Sequence, residues 1–258
     1  MIHAPDLYAI ALTFLFAVAA GLVGSFALMK RMLLAGDVIS HLALPGLGLA
    51  FMLHFDPLTG AACSLFLGTL AVAKLQQKTG FAADAMIAVV FASFLAVGAA
   101  LTPTEDLVEA LFGKFQPLSL LTFIAGLLAV FPIILFIFLF KNELVLSLFS
   151  QELAASSGIK LGYLNLGFLL MFSLTVLIGL RFMGALLAGT LIMLPAAIGR
   201  RLSTSLSGVL WASSISSVIA VITGFLLSTY VVHGLSLGPA TTMAAAVLFA
   251  ISLFHQPD

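Results

Sequence analysis

Long apolar runs, interrupted by short polar stretches and by glycine and proline, make up most of the chain. A membrane-spanning helix needs about 20 mostly apolar residues, fewer where neighbouring helices shield its ends. Nine runs qualify, at 7–29, 38–54, 58–75, 82–102, 118–140, 162–180, 184–199, 207–230 and 237–254. The second and seventh are short, and each contains a proline, Pro45 and Pro195. The pattern predicts an all-α, polytopic integral membrane protein with about nine transmembrane helices, eight being the alternative count. The chain reads as one transmembrane domain over 1–258.

Basic residues set the expected orientation, because cytoplasmic loops carry the excess of Lys and Arg. With the N-terminus outside and the C-terminus inside, the inner loops hold Lys30, Arg31, Lys74, Lys78, Lys141, Lys160, Arg200 and Arg201. The outer side keeps only Lys114 and Arg181, and it collects Asp6, Asp56, Glu105, Asp106 and Glu109. That acidic rim either attracts cations and docks a partner or is a set of ordinary solvated loop ends. The longest inner segment, 141–161, is too polar to span. Leu144, Leu148, Ala155 and Ile159 give it a broken amphipathic pattern, and Gly158 reads as a helix stop. A short helix there lies on the membrane or docks in a groove of a cytoplasmic protein.

Composition sharpens this. The chain of 258 residues is 62% hydrophobic and 8% charged, with a mean hydropathy of +1.27. Soluble domains carry about 25% charged residues, so lipid is this protein's expected solvent. A formal net charge of zero argues against a nucleic-acid partner. The single cysteine, Cys63, lies in an apolar run and excludes an intrachain disulfide or a thiolate metal cluster. No basic stretch precedes the first apolar run, which therefore reads as a retained helix and not a cleaved signal. There is no Gly-x-x-x-x-Gly-Lys-Ser/Thr loop for ATP and no His-Glu-x-x-His zinc motif. The inventory fits a conduit more than a catalyst.

The candidate chemistry sits in Gly36-Asp37-Val38-Ile39-Ser40-His41-Leu42-Ala43-Leu44-Pro45-Gly46. On a helix, positions i and i+4 share a face, so Asp37 and His41 offer one oxygen and one nitrogen ligand in the same direction. Pro45 lacks an N–H, which predicts that the His41 carbonyl loses its helical partner. The plainer readings are an Asp37 N-cap with the helix starting at Val38 and a core histidine at position 41. Against them, ionisable residues inside membrane segments are costly and point to function. Weaker candidates on a path are Asp84, otherwise a cap or partner of Lys78, and His54 near Asp56 at an outer end. His233 reads as solvated. Gly21, Gly24, Ser25, Gly184 and Gly189 read as close-packing positions. Ser213, Ser214, Ser216 and Ser217 read as hydroxyls that bond back to helix carbonyls or across helices.

Four stretches together resemble the manganese/zinc/iron permease family of ABC importers, the membrane subunits of bacterial metal uptake systems. They are Gly24-Ser25-Phe26 through Lys30-Arg31-Met32 and on into Gly36–Gly46; Asp84 and its helix, followed by Leu111-Phe112-Gly113; Glu152-x-Ala154-x-x-x-Gly158-Ile159; and Gly184-Ala185-Leu186-Leu187 through Leu194-Pro195-Ala196-Ala197. The likeness covers roughly 20–250.

The resemblance implies a permease domain over 1–258 in a bacterial plasma (inner) membrane, with 141–161 as its cytoplasmic coupling segment. It implies a homodimer or a pair with a paralogue, two cytoplasmic ATP-binding subunits that do the hydrolysis, and an extracytoplasmic metal-binding protein that delivers the cation. The family's metal-binding Asp and His fall on Asp37 and His41, and its ATPase-contacting segment falls on Glu152, Ala154 and Gly158. No permanently bound cofactor is implied; the cargo is a divalent zinc, manganese or iron ion. A homodimer doubles the pair into two oxygens and two imidazoles, an N/O set that suits those metals, and His41 ligates only when neutral. The competing class is a stand-alone secondary metal-ion transporter or channel, which need not have the 141–161 segment and for which Asp84 is the candidate proton carrier. A permease for a metal chelate is a third reading.

Overall fold

A computed structural model describes residues 4–32, 35–101, 119–183, 185–231 and 236–254. The helices in chain order are α1 (Ala4–Met29), α2 (Ala35–Ser40), α3 (Leu44–Leu53), α4 (Pro57–Thr79), α5 (Ala83–Leu101), α6 (Leu120–Phe149), α7 (Gln151–Ser156), α8 (Leu161–Met183), α9 (Ala185–Leu202), α10 (Leu206–Leu226) and α11 (Leu237–Ser252). A 3₁₀ turn, His41–Ala43, joins α2 to α3, and a π turn, Leu227–Val231, extends α10. Among the described residues there is no strand.

Local chemistry sets several helix ends. Asp56 is extended and accepts from the Thr59 N–H, with Pro57 following at the first helical position of α4, a favoured start. Ser119 caps α6 through the Thr122 N–H, and Ser205 caps α10 through the Gly208 N–H. Gly80 ends α4 in the left-handed conformation, φ +70°.

Helices occupy all nine predicted runs. Seven stretches of the described chain are long and apolar enough to cross a membrane: Leu7–Met29, Ala35–Leu53, Pro57–Thr79, Asp84–Leu101, Leu120–Phe149, Leu161–Arg181 and Leu206–Tyr230. The other two predicted runs are α9, whose last turn carries Arg200 and Arg201, and α11, an apolar helix of 16 residues. The fold class read from the sequence therefore holds: an all-α polytopic membrane protein.

One boundary differs. The fifth helix does not stop near 140 but continues through Lys141, Asn142 and Glu143 to Phe149, a helix of 30 residues with Pro132 inside it. One polar turn does not break a helix when Leu144 beyond it is fully buried. The break comes at Ser150, which is extended (φ −156°) and caps α7 through the Leu153 N–H. The 141–161 segment is thus the end of α6, the short α7 and a turn at Gly158, φ +81°.

The core centres on α1, where Phe16, Ala17, Ala20, Val23 and Phe26 are fully buried. It packs against α6, α8, α9 and α10. Large apolar side chains also cover the outside: Leu121, Leu128 and Phe131 on α6 and Trp211 on α10 are among the most exposed. Apolar outside as well as inside is the distribution that lipid permits, since a helix satisfies its own backbone there. Helices meet closely at small residues. A Cβ at Gly21 would lie 2.7 Å from the Ser214 Cα, so α1 and α10 touch backbone to backbone. Between α4 and α8, the Thr69 and Ser173 hydroxyls bond to each other in the core.

Candidate metal centre

Pro45 organises the site by interrupting a membrane helix. Its missing N–H prevents the α-helical bond to the His41 carbonyl. The expectation that this carbonyl is left free is corrected by the structure: the chain tightens into the 3₁₀ turn, and the Leu44 N–H donates to it. A 3₁₀ bond reaches one residue less far, so it uses a donor that precedes the proline. The next carbonyl, Leu42, accepts from the Ser64 hydroxyl of α4 at 2.6 Å. The break thus has its backbone groups met from within the protein, as membrane interiors require.

Two buried side chains, Ile39 and Leu42, anchor the inner face of this segment. Asp37 and His41 lie on the other face. Asp37 is not the N-cap: α2 begins at Ala35 and places Asp37 in its first turn. The His41 Nε2 stands 3.9 Å from an Asp37 carboxylate oxygen, with the imidazole largely covered (16% exposed) and the carboxylate open (43%). At that distance the pair is not hydrogen-bonded, and the gap leaves room for both to reach one ion. Phe91 of α5 lies against the imidazole, with ring centroids 5.7 Å apart and planes tilted by 50°. The His41 Nδ1 is buried and has no hydrogen-bond partner among the described residues.

The position of Asp37 depends on α9. A Cβ at Gly36 would lie 3.2 Å from the Gly189 carbonyl oxygen, and a Cβ at Gly189 would lie 2.6 Å from the Asp37 backbone nitrogen. The two backbones cross with no side chain between them, which seats the Asp37 main chain directly on α9. On the other side, a Cβ at Gly98 of α5 would lie 2.6 Å from the Leu44 Cβ, so α5 holds the start of α3 and presents Phe91 to the imidazole.

Among the described residues no third His, Cys, Asp or Glu joins the pair. His54 ends α3 in the left-handed conformation, φ 55°, about 20 Å along the helix from His41 at 1.5 Å per residue. Asp56 is committed to capping α4. Asp84 lies exposed in the first turn of α5, about 10 Å along that helix from Phe91. The structure brings Asp37 and His41 together and keeps Asp84 and His54 apart from them. Glu105, Asp106, Glu109, Lys114, Leu111-Phe112-Gly113, Gly184 and His233 lie outside the described residues.

Of the other expected site residues, Ala154 is fully buried and fixes α7 to the bundle, Glu152 is exposed in its first turn, and Gly158 turns the chain in open space. Two apolar side chains escaped the sequence reading: Phe149 is 85% exposed and Leu153 60%. Phe91, Ser64 and the crossing of Gly36 with Gly189 were likewise missed, although the two glycines were visible as small residues.

The profile of the ABC 3 transport family matches residues 7–256. A Listeria monocytogenes protein described as "Manganese transport system membrane protein MntC" is 27% identical over 244 residues, covering 93% of this chain and 86% of that protein. A Haemophilus influenzae protein described as "High-affinity zinc uptake system membrane protein ZnuB" is 26% identical over 239 residues, covering 91% of each. Among solved structures, "PsaBC from Streptococcus pneumoniae in complex with Fab" superimposes with a TM-score of 0.82 at 25% identity, covering 99% of this chain and 93% of that one.

Proposed function

Because the chain belongs to the ABC 3 transport family, we propose that it is the permease subunit of an ATP-driven importer for a divalent zinc, manganese or iron ion. The observation that carries this reading is the Asp37–His41 pair. An apolar bundle holds a carboxylate and an imidazole 3.9 Å apart, with the buried His41 Nδ1 unpartnered among the described residues. Ionisable side chains inside an apolar bundle are costly and point to function, and a cation coordinated by the Asp37 carboxylate and the His41 Nε2 would use both. Neutral imidazole and carboxylate suit zinc, manganese and iron, and without thiolates the site binds without trapping.

A transport site of two ligands is incomplete. A homodimer completes it when two copies face each other across the pair and give two carboxylates and two imidazoles. The carboxylates then neutralise the divalent charge. In our reading each of the nine predicted runs crosses the bacterial inner membrane, the N-terminus is outside, and an extracytoplasmic binding protein delivers the ion. A separate cytoplasmic subunit hydrolyses ATP. It docks on α7, where Glu152 faces outward, Ala154 anchors the helix and Gly158 ends it. The exposed Phe149 and Leu153 supply apolar contact area there.

The test is uptake of labelled zinc, manganese and iron by cells lacking their own importer, with and without the candidate ATPase. Asp37→Ala and His41→Ala are expected to abolish uptake while the protein still reaches the membrane. Near-normal uptake by both variants, or uptake independent of the ATPase, refutes the reading.

A further inference from the structure

At the end of the bundle where α1 and α4 finish and α8 begins lies a pocket of about 620 Å³. Neither Asp37 nor His41 lines it. Among the described residues its only charged lining side chains are Lys30 and Arg31; the other polar side chains are the amides of Gln76, Gln77, Gln151 and Asn165 and the Ser147 hydroxyl, and no carboxylate lines it.

Both cations are held in ways that a solvated loop end does not require. The Lys30 ammonium is half-buried. It donates to the Asn165 Oδ1 at 3.0 Å and lies 5.0 Å from the centre of the Phe168 ring. Asn165 is oriented in turn by its bond to the Gln76 Oε1 at 2.7 Å. Among the described residues the ammonium therefore has one neutral hydrogen-bond partner and no counter-ion, and burial lowers its pKa from 10.5 to about 8. Arg31 occupies the left-handed conformation, φ 60°. It closes α1 in a Schellman turn, with the Arg31 N–H on the Leu28 carbonyl and the Met32 N–H on the Ala27 carbonyl. Glycine is the favoured residue at that position, and a strained side chain kept there points to a use for the side chain.

We propose that this pocket binds a phosphate group, with Lys30 and Arg31 as its cationic partners and the surrounding amides as further donors. Two adjacent cations with no carboxylate repel a divalent metal, so the pocket is not a station for the transported ion. They match an anion, and guanidinium and ammonium groups bind phosphate by charge-assisted hydrogen bonds. The group belongs either to an anionic phospholipid, for which basic pockets between membrane helices are known sites, or to a soluble phosphate. The proposal stands independently of which metal the chain carries.

The experiment uses the full chain and the Arg31→Gly variant. Glycine is at least as good as arginine in the left-handed position, so this variant keeps the turn while removing the charge. In detergent, inorganic phosphate is titrated while the thermal unfolding midpoint is followed. In lipid nanodiscs, retention of phosphatidylglycerol against phosphatidylcholine is read by native mass spectrometry. The expected result is saturable binding in one arm, weakened at least tenfold in Arg31→Gly, with a ligand-free midpoint no lower than that of the wild type. Lys30→Met is expected to weaken it likewise. A response to inorganic phosphate assigns a soluble ligand; selective retention of phosphatidylglycerol alone assigns a lipid headgroup. Absence of binding in both arms, or equal binding by wild type and Arg31→Gly, overturns the proposal. The cations are then assigned to a carboxylate on a partner protein.

Discussion

Replacing Gly189 with alanine tests whether the α2–α9 crossing positions Asp37, the proposed metal ligand. The added Cβ would meet the Asp37 nitrogen at 2.6 Å, the Asp37 Cα at 2.7 Å and the Gly36 carbonyl carbon at 2.7 Å. All three are main-chain atoms, so no side chain can swing aside. To reach ordinary contact near 3.4 Å, α2 and α9 must separate by about 0.8 Å at this point. Overpacking of this kind costs about 1–3 kcal/mol, which the bundle can absorb and still insert. Function is less tolerant, because a binding constellation must be held within about 0.5 Å. Metal uptake is therefore expected to fall by about tenfold or more, with the protein still in the membrane and both ligands intact. The control is Gly126→Ala, whose Cβ has side-chain atoms of Leu12, not main-chain atoms, as its three nearest neighbours. The assay is initial uptake of labelled metal, normalised to membrane protein by immunoblot. Wild-type uptake by Gly189→Ala, or an equal loss in Gly126→Ala, would show that the crossing does not set the position of Asp37.

Three further outcomes are expected. Ser64→Ala leaves the Leu42 carbonyl buried without its 2.6 Å donor, which is expected to cost about 1–3 kcal/mol; an unchanged thermal midpoint in detergent would count against this role. Lys30, lowered from 10.5 to about 8 by burial, binds fewer protons folded than unfolded between those values, so its contribution raises stability with pH across that window, by roughly 3 kcal/mol in all. Unfolding midpoints measured from pH 8 to 10.5 should rise more steeply for the wild type than for Lys30→Met, and parallel curves refute the assignment. Glu152→Arg is expected to weaken docking of the ATPase subunit, and undiminished co-purification of that subunit argues against α7 as the docking element.

The helices were legible because lipid tolerates an apolar surface all round, so run length alone locates them. The same simplicity hid the end of α6. Lys141, Asn142 and Glu143 read as a boundary, yet one polar turn does not break a helix when the residue beyond it, Leu144, is fully buried. The Asp37–His41 pairing was legible from the four-residue spacing, a local rule. The fate of the His41 carbonyl was not, since the α-helical bond removed by Pro45 had a 3₁₀ substitute one residue nearer. The contacts that fix Asp37 and His41 were beyond reading because they join distant positions: Gly189 to Asp37, Ser64 to Leu42, Phe91 to His41. Hydropathy marks a glycine as small; it does not say which backbone will occupy the space.

The break at Pro45 links these contacts to function. An unbroken helix would carry Asp37 and His41 just as well on one face, but its own ladder would leave no reason for α4, α5 and α9 to close around them so tightly. The proline forces a 3₁₀ turn, and the turn draws in the Ser64 hydroxyl and seats Leu44 against Gly98. The main-chain demands of the break are thereby met inside the protein. The side chains are treated in the opposite way: the His41 Nδ1 stays buried without a partner, and the carboxylate is too far from the imidazole for a hydrogen bond. A segment with its backbone satisfied and a carboxylate 3.9 Å from a largely covered imidazole fits the cation site proposed above. Under the proposed function, a cation held by this pair would be released readily, because one chain would supply only two ligands.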